Sequence, residues 1–554
     1  MSAIRLPAAC LAACLLILLT ALSTACRRES PTQFKRTSGA GSQRQISDEL
    51  FGNALANLNQ LETFGPNEIL EQSYERLNDW VAGKQPKVEW QRAEILETLP
   101  EPLAETVPLQ QLDAMKFDLR DAQYLRRCVW MRDVAQHVAG GAEHDLVAAE
   151  RLFDWVVRNI QTEPEPPIDT LQPINYLPDE ALLFGHGRVA DKSWIFILLA
   201  RQLHLDAVML AVPEAGSTGG VREWLPAVFL NGDFYLFDMA LGTAVPGPDG
   251  QGVATLAQLR QQPELLQQLE TADFPYRLDA EQLDKVVALI VAGDQAFSKR
   301  MQAVEANLAG DERLLLSMHT EELIEQLKQS DQLEDVRLWE RPFRIAAERA
   351  APIAPSSKQA IEQQMRPFEL EVSGLSVNPL WAGRVLQFRG DFDGKESARG
   401  ELLAARETVQ VYDRREFEEL DAQDKELRPV LRLIATYWLG HISFETEQYN
   451  SAVEFFGPQL VRAFLGIQPS RGDALYDDLL RSIQAAASYN FGRSFEELGN
   501  APQAVVFYDR DYSANRPASL LRKKRLLEKL DDAERGKALE QAAEIHKKLE
   551  TTQP

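Results

Sequence analysis

Side chains that could take part in catalysis are sparse in the middle of this chain. Residues 185–238 begin with GHGRVADKSWIFILLARQLHLDAVMLAV and end with REWLPAVFLNGDFYLFD. No Cys, Ser or Thr lies between Leu182 and Lys192, and Ser193 comes one helical turn too late to stand at a turn-to-helix elbow. The side chains with acid–base capacity are His186, Asp191 and Asp238. Carboxylates can work as acid–base pairs, but nothing in the spacing of these groups selects a pair.

The elements around these groups form a mixed unit of helix and strand. Residues 192–204 are apolar over much of the helical circumference, which indicates a helix packed on several sides. Residues 206–212 have the short, β-branched composition of a buried strand, and two apolar runs flank Asn231-Gly232, the typical sequence of a type I′ hairpin. We therefore predict an α+β unit over residues 118–275.

The order of turn, buried helix and hairpin resembles the transglutaminase-like (papain-related) superfamily. In that family a Gly-x-Cys turn opens the central helix, and later strands carry a His-x-Trp motif and an Asp. Here Gly187-Arg188-Val189 stands at the first motif, Arg222-Glu223-Trp224 at the second, and Asp238 at the acid. The resemblance implies the same fold for residues 118–275, with helices packed on a small antiparallel sheet.

The same resemblance implies that the reaction of the family has been lost. In active members a thiolate attacks a carbonyl, a histidine takes its proton and an aspartate orients the imidazole. Val189 has no nucleophilic atom, and the guanidinium of Arg222 stays protonated at physiological pH, so that it cannot act as a general base. We assign no catalytic residue and regard Val189, Arg222 and Asp238 as a degenerate triad. If the strands keep their register, we expect Arg222 to form an ion pair with Asp238.

No other group of residues predicts a catalytic or metal site. Cys128 and His137 lie nine residues apart in one helical pattern, about 13 Å by helical rise, so Cys128 is predicted to be a buried structural thiol. His186 can stabilise its turn or hydrogen-bond a ligand, and the first role is favoured. Glu163 and Glu165, in a proline-rich loop, are predicted to be solvated. The other histidines lack the spacing of metal ligands and no CxxC pair is present, so we expect neither metal nor other cofactor.

The C-terminal part repeats a pattern of small and aromatic residues. Its two copies are Gly440, Ala452, Phe456 and Gly492, Ala504, Tyr508. In such a pattern the glycine lets two antiparallel helices approach, the alanine sits at their crossing and the aromatic ring closes the pair. The pattern resembles the tetratricopeptide repeat, although the copies are 52 residues apart and not the usual 34 or so. We predict helical hairpins, whose concave faces usually bind peptides or partner helices.

The first 25 residues predict export. Arg5 precedes an apolar run that ends in LSTAC, which is typical of a secretory signal and resembles a bacterial lipoprotein site with an acylated thiol at Cys26. An ordinary cleaved signal and an uncleaved anchor stay open as alternatives, because the run is almost long enough to span a bilayer and Arg27 and Arg28 follow it. All three place the protein at a membrane of the cell envelope, with its body exported.

The charge of the chain argues against nucleic acid as a partner. The formal net charge is −24, with acidic residues spread along the chain, whereas nucleic-acid binding needs a basic stripe. The densest basic run, residues 522–525, lies in a helical pattern rich in Leu and Glu and is predicted to be a solvated face.

The predicted organisation combines these segments. It comprises a signal peptide (1–25), a flexible tether (26–45), an N-terminal helical region (46–117), the transglutaminase-like domain (118–275), a helical region with an irregular linker (276–420), and tetratricopeptide-like hairpins with a C-terminal helix (421–554). We expect a membrane-tethered, catalytically inactive protein that binds or scaffolds protein partners through its helical repeats. The alternatives are an envelope hydrolase that uses a non-cysteine mechanism in the same cleft, built on Asp238 with Asp191 or His186, and a purely structural spacer.

Overall fold

The structure is a computed structural model that describes residues 40–163, 174–214, 220–310, 313–351, 356–372, 375–407, 422–465 and 474–552. The predicted signal peptide, most of the tether and Cys26 lie outside these residues. The first helix of the described residues, Ala40–Leu58, includes residues 40–45 of the predicted tether, because Gln and Arg favour helix about as well as Leu does. Within the described ranges, no helix is both long and apolar enough to cross a membrane.

Helices lie on both faces of a central sheet. The α-helices before the sheet are Ala40–Leu58, Glu68–Lys84, Glu101–Ala104, Val107–Gln110, Leu119–Ala139, Asp145–Asn159, Pro178–Phe184 and Val189–Gln202. Those between and just after its strands are Leu256–Gln261, Ala280–Asp284, Lys299–Glu305, Thr320–Gln329, Arg341–Ala350 and Ser356–Glu369. The C-terminal helices are Pro379–Arg389, Ala398–Glu407, Ala422–Glu445, Tyr449–Glu454, Leu460–Leu465, Ala474–Glu497, Ala501–Asp509, Arg516–Glu528 and Asp532–Thr552. We call Val189–Gln202 the central helix and Arg341–Ala350 the closing helix.

Within the described ranges, the strands form one large sheet and one short pair. They are β1 (Gln161–Thr162), β2 (His186–Gly187), β3 (Asp206–Pro213), β4 (Val221–Leu230), β5 (Asp233–Asp238), β6 (Thr243–Ala244), β7 (Val287–Ile290) and β8 (Asp335–Leu338). β1 and β2 pair in parallel, and the others form a sheet in the order β6-β5-β4-β3-β7-β8. The predicted hairpin is confirmed: Asn231 and Gly232 join β4 to β5 with φ of 55° and 86°, as a type I′ turn requires.

The sheet is larger than expected and is not purely antiparallel. Residues 276–420 were predicted to hold only helices and a linker, yet they supply β7 and β8, and these two strands pair in parallel. The run VVALIVA at residues 286–292 is apolar throughout, and such short runs do not distinguish helix from strand by periodicity. The sheet therefore continues past the predicted boundary at residue 275.

Alternate residues of β3 face two different cores, as the period of a strand requires. Ala207, Met209 and Ala211 pack with the central helix and the C-terminal helices. Val208, Leu210 and Val212 pack with the N-terminal helices and with residues 256–343. The first core extends to Ala518, so the C-terminal hairpins share it with the sheet.

The glycine–aromatic pattern is confirmed as the packing of two helix pairs. A Cβ at Gly440 would lie 2.6 Å from the Phe456 ring, and a Cβ at Gly492 would lie 2.7 Å from the Tyr508 ring. Tyr508 lies in the shorter helix that follows, Ala501–Asp509, and Phe456 lies in the π-helical turn Phe455–Gln459 directly after Tyr449–Glu454. The close approach of the helices therefore requires glycine at both positions.

The basic run at residues 522–525 was expected to be a solvated face, and this is wrong. The partners of Arg522, Lys523, Lys524 and Arg525 are, in order, the carboxylates of Glu496 and Asp509, the carbonyl of Glu270 and the hydroxyl of Thr243. The last two contacts tie a C-terminal helix to the segment that follows β5. These partners are distant in sequence, so no local pattern reveals them.

Candidate functional site

The structure separates the three positions of the degenerate triad. Val189 is half-buried at the start of the central helix, and Asp238 is 5% exposed at the end of β5. Arg222 is exposed, and its Nη2 donates to the carbonyl of Arg277 at 3.2 Å. The predicted ion pair between Arg222 and Asp238 is therefore wrong. The register explains this: β4 pairs with β5 from Ala227 onward, five residues after Arg222, so Arg222 lies beyond the end of β5.

Asp238 is held by partners other than the predicted one. Tyr276 donates its hydroxyl to Asp238 Oδ2 at 2.8 Å, and the backbone N–H of Leu241 donates to Oδ1 at 2.8 Å. Trp224 Nε1 in turn donates to the Tyr276 hydroxyl at 3.0 Å. Burial raises the pKa of Asp238, and these hydrogen bonds to the carboxylate oppose the shift. Tyr276 thus takes the place expected for a base, and a phenol with its pKa raised well above 10 by burial is a donor at neutral pH.

A buried lysine interacts electrostatically with this carboxylate. Lys192, in the first turn of the central helix, is 1% exposed, and its Nζ donates to Thr162 Oγ1 at 3.0 Å. Burial lowers the pKa of Lys192 to about 7, and the charge of Asp238 opposes that shift. Sequence reasoning missed Lys192, although a lysine within an otherwise apolar helix signals a buried, partnered amine. Trp224, Tyr276, Asp238, Lys192 and Thr162 are called the acid cluster below.

A second polar cluster lies at the glycine turn. His186 Nδ1 is 2.5 Å from Glu163 Oε1, and the Tyr176 hydroxyl donates to the same oxygen at 3.3 Å. Gln364 Nε2 donates to the Tyr176 hydroxyl at 2.9 Å. Burial alone would raise the pKa of Glu163, but His186 and Tyr176 outweigh it and hold this pKa below its ordinary value. These four residues are called the histidine cluster.

The histidine cluster corrects one prediction and leaves another open. Glu163 was expected to be solvated, yet it binds His186 across the β1–β2 pair, and Glu165 lies outside the described residues. The Nδ1 contact with Glu163 fits the role favoured from the sequence, in which His186 stabilises its turn. Its Nε2, however, is buried without a hydrogen-bond partner among the described residues, so the role of binding a ligand stays open. Gln364 Oε1 also has no partner there, and Gln364 lines a cavity of about 10 Å³ with Tyr437 and Trp438.

The closing helix covers the N-terminal turn of the central helix. Arg341 binds the carboxylate of Asp191, which also accepts from the backbone N–H of Arg188 at 2.9 Å. At the far end of the closing helix, Arg349 binds Glu180 at 3.0 Å. The side chain of Asn175 bridges the two helices, because it accepts from Arg188 and donates to Glu348, each at 2.8 Å. The surroundings of Val189 are therefore occupied by charged side chains that bind one another.

The remaining candidates do not form a site. Cys128 is buried, and burial raises its pKa to about 12, as expected of a structural thiol. His137 lies against Glu445 at 3.4 Å. In the part of the chain that the structure describes, no group of three or more His, Cys, Asp or Glu residues is placed to hold a metal ion.

The site offers an acid, Asp238, an amine, Lys192, and an imidazole, His186, but no hydrogen bond of the described residues joins any two of them. The hydroxyl that accepts from the amine, that of Thr162, is 5% exposed. Comparison with family models, with curated proteins and with solved structures gave no significant match to this chain.

Proposed function

We propose that this chain is a catalytically inactive, transglutaminase-like protein that is tethered to a membrane of the cell envelope and acts as a binding or scaffolding module. The observation that carries this proposal is the state of the degenerate triad. Val189 supplies no nucleophile, Arg222 lies away from Asp238, and Tyr276 occupies the hydrogen-bonding position on the acid. The closing helix adds support, since its Arg341 binds Asp191 in the first turn of the central helix.

The proposed partners are proteins bound through the helical hairpins. The inner helices of the hairpins pack on the central unit, with Trp438 against Gly185 and Arg493 bound to Asp154 at 2.8 Å. The surface left for a partner is therefore the outer one, where Val461 is 57% exposed and Leu498 is 38% exposed. The proposed membrane attachment is a lipid on Cys26.

Activity and attachment are tested separately. Purified protein should release no ammonia from glutamine-containing peptides in the presence of an amine, and should cleave none of them. In cells, the chain should incorporate a labelled fatty acid, and Cys26→Ser should not. Turnover by the purified protein would overturn the inactive assignment, and equal labelling of both chains would overturn lipidation at Cys26.

A second candidate is a hydrolase with a non-cysteine mechanism in the same cleft. One observation favours it: the imidazole of His186 is oriented by Glu163 through Nδ1, and Nε2 carries no partner among the described residues. A carboxylate–imidazole pair with a free nitrogen can activate a water molecule. This candidate predicts turnover of an envelope polymer that is lost in His186→Ala and kept in Lys285→Met, a substitution at an exposed lysine.

A further inference from the structure

A small cavity lies where the histidine cluster meets the C-terminal helices. Its walls combine apolar and polar side chains, among them Phe184, Ile434, Ile483, Gln364, Tyr437 and Trp438. Its volume is about 10 Å³, and none of the residues that line it is more than 7% exposed. A molecule bound in this cavity is therefore small and enclosed by the protein.

Three polar atoms of the lining side chains lack a partner in the protein. Gln364 Oε1, the Tyr437 hydroxyl and Trp438 Nε1 are each buried without a hydrogen bond among the described residues. Burial raises the pKa of Tyr437, so its hydroxyl keeps its proton at neutral pH. The cavity wall thus carries one acceptor, one hydroxyl that both donates and accepts, and one donor.

The hydrogen bonds of the histidine cluster fix which end of the Gln364 amide belongs to the cavity. The Tyr176 hydroxyl donates its only proton to Glu163, so it can only accept from Gln364. Gln364 Nε2 makes that bond at 2.9 Å, which leaves Oε1 as the free end of the amide. The series of hydrogen bonds that begins at His186 therefore ends at an acceptor on a residue that lines the cavity.

We propose that this cavity binds a water molecule, which donates to Gln364 Oε1, accepts from Trp438 Nε1 and bonds the Tyr437 hydroxyl. A buried water needs about this volume and two to four polar partners, and the three atoms meet that number. An apolar molecule would leave all three atoms unsatisfied, and an ammonium ion could not accept from the indole. The water extends the series of hydrogen bonds from His186 to the helix Ala422–Glu445. This site is independent of the function proposed above, since it uses none of the residues of the degenerate triad.

Thermal unfolding of Tyr437→Phe gives opposite results with and without this water. With the water bound, the substitution removes one of its partners, so the Tm should fall by about 1 °C or more. If the hydroxyl has no partner at all, its removal relieves an unsatisfied buried group, and the Tm should stay the same or rise. Tyr512→Phe, at a tyrosine that is 82% exposed, is the control and should keep the Tm of the natural chain. An unchanged or raised Tm in Tyr437→Phe would overturn the proposal.

Nuclear magnetic resonance of the full chain with isotope-labelled tryptophan detects the water directly. The indole N–H of Trp438, identified by its loss in Trp438→Phe or by its shift in Tyr437→Phe, should show a cross-relaxation peak with water. Gln364→Met removes the acceptor and should remove this peak. Trp381 is the control: its indole donates to the carbonyl of Leu61 at 2.8 Å and should show no such peak. A lower Tm in Tyr437→Phe without a water peak at Trp438 would mean that the hydroxyl bonds the protein directly, which would also overturn the site.

Discussion

The two polar clusters at the start of the central helix differ in how completely their groups are bonded. In the acid cluster every polar side chain has a partner, from the indole of Trp224 through Tyr276 to Asp238, and from Lys192 to Thr162. In the histidine cluster, a series of hydrogen bonds runs from His186 through Glu163 and Tyr176 to Gln364. Both of its ends, His186 Nε2 and Gln364 Oε1, are buried without a partner among the described residues.

This difference separates structural groups from groups that can still meet a ligand. A buried network in which every member is bonded stabilises the fold, and removing one member leaves the others unsatisfied. A buried atom without a partner adds no stability and is available to a bound molecule. We therefore expect substitutions in the acid cluster to cost more stability than matched substitutions in the histidine cluster.

The largest effect is expected at the turn between the clusters. Gly185 has φ of +77°, and a Cβ there would lie 2.5 Å from the Trp438 ring. Gly185→Ala should lower the free energy of unfolding by about 3 kcal/mol, the sum of a left-handed backbone and a displaced ring. Gly232→Ala is the control: φ is +86° but nothing lies within 4 Å, so about 1 kcal/mol is expected. If urea unfolding gave equal losses for Gly185→Ala and Gly232→Ala, the helix Ala422–Glu445, which carries Trp438, would not pack on the turn.

A pH-dependent effect is expected at Lys192. Its pKa in the folded protein is about 7, against about 10.4 in an unfolded chain. Between these values the unfolded chain binds a proton that the folded chain does not, so stability should rise with pH by on the order of 3–4 kcal/mol from pH 7 to pH 10. Below pH 7 the cost of burying the ammonium is fully present.

Urea unfolding at pH 6, 8 and 9.5 measures this dependence. Lys192→Met should remove the rise, whereas Lys285→Met, at an exposed lysine, should keep it. A rise of the same size in Lys192→Met would mean that other groups cause the pH dependence and that burial does not lower the pKa of Lys192.

A matched pair of tyrosines compares the two clusters directly. Tyr276→Phe removes a donor to Asp238 and an acceptor for Trp224, so a loss of about 2 kcal/mol is expected. Tyr176→Phe removes an acceptor for Gln364 and a longer, weaker bond to Glu163, which keeps His186 as a partner, so a smaller loss of about 1 kcal/mol is expected. Denaturant unfolding of both variants decides the order, and a larger loss for Tyr176→Phe would reverse the comparison.

The smallest effect is expected at Arg222. Its side chain is exposed and donates one hydrogen bond of 3.2 Å to a carbonyl. Arg222→Ala should change the free energy of unfolding by about 0.5 kcal/mol or less. A loss of stability as large as that of Tyr276→Phe would indicate that Arg222 forms the ion pair with Asp238 that the sequence predicted.

The local elements of the site could be predicted from the sequence, because each depends on neighbouring residues. A run that is apolar over much of the helical circumference located the central helix, and Asn231-Gly232 located the β4–β5 turn with its positive φ values. The glycine–aromatic spacing correctly placed Phe456 on Gly440 and Tyr508 on Gly492. Each of these follows from a spacing of at most about four helical turns.

The partners in the site could not be predicted, because they depend on contacts between distant segments. Tyr276 lies 38 residues after Asp238, and Lys192 lies 30 residues after Thr162. The pair of Arg222 and Asp238 failed because the end of the β4–β5 pairing is not visible in residue types. The number of strands in the sheet was underestimated for a similar reason, since the apolar run at residues 286–292 does not indicate that it pairs with β3.

One measurement tests the central claim, that the degenerate site is inactive, most directly. Purified protein is incubated with a glutamine-containing peptide and a primary amine, and the release of ammonia and the cleavage of the peptide are followed by mass spectrometry. We predict no turnover above that of heat-denatured protein, in the natural chain and in Asp238→Ala and His186→Ala alike. Turnover that is present in the natural chain and in Lys285→Met, and lost in Asp238→Ala or His186→Ala, would contradict the account.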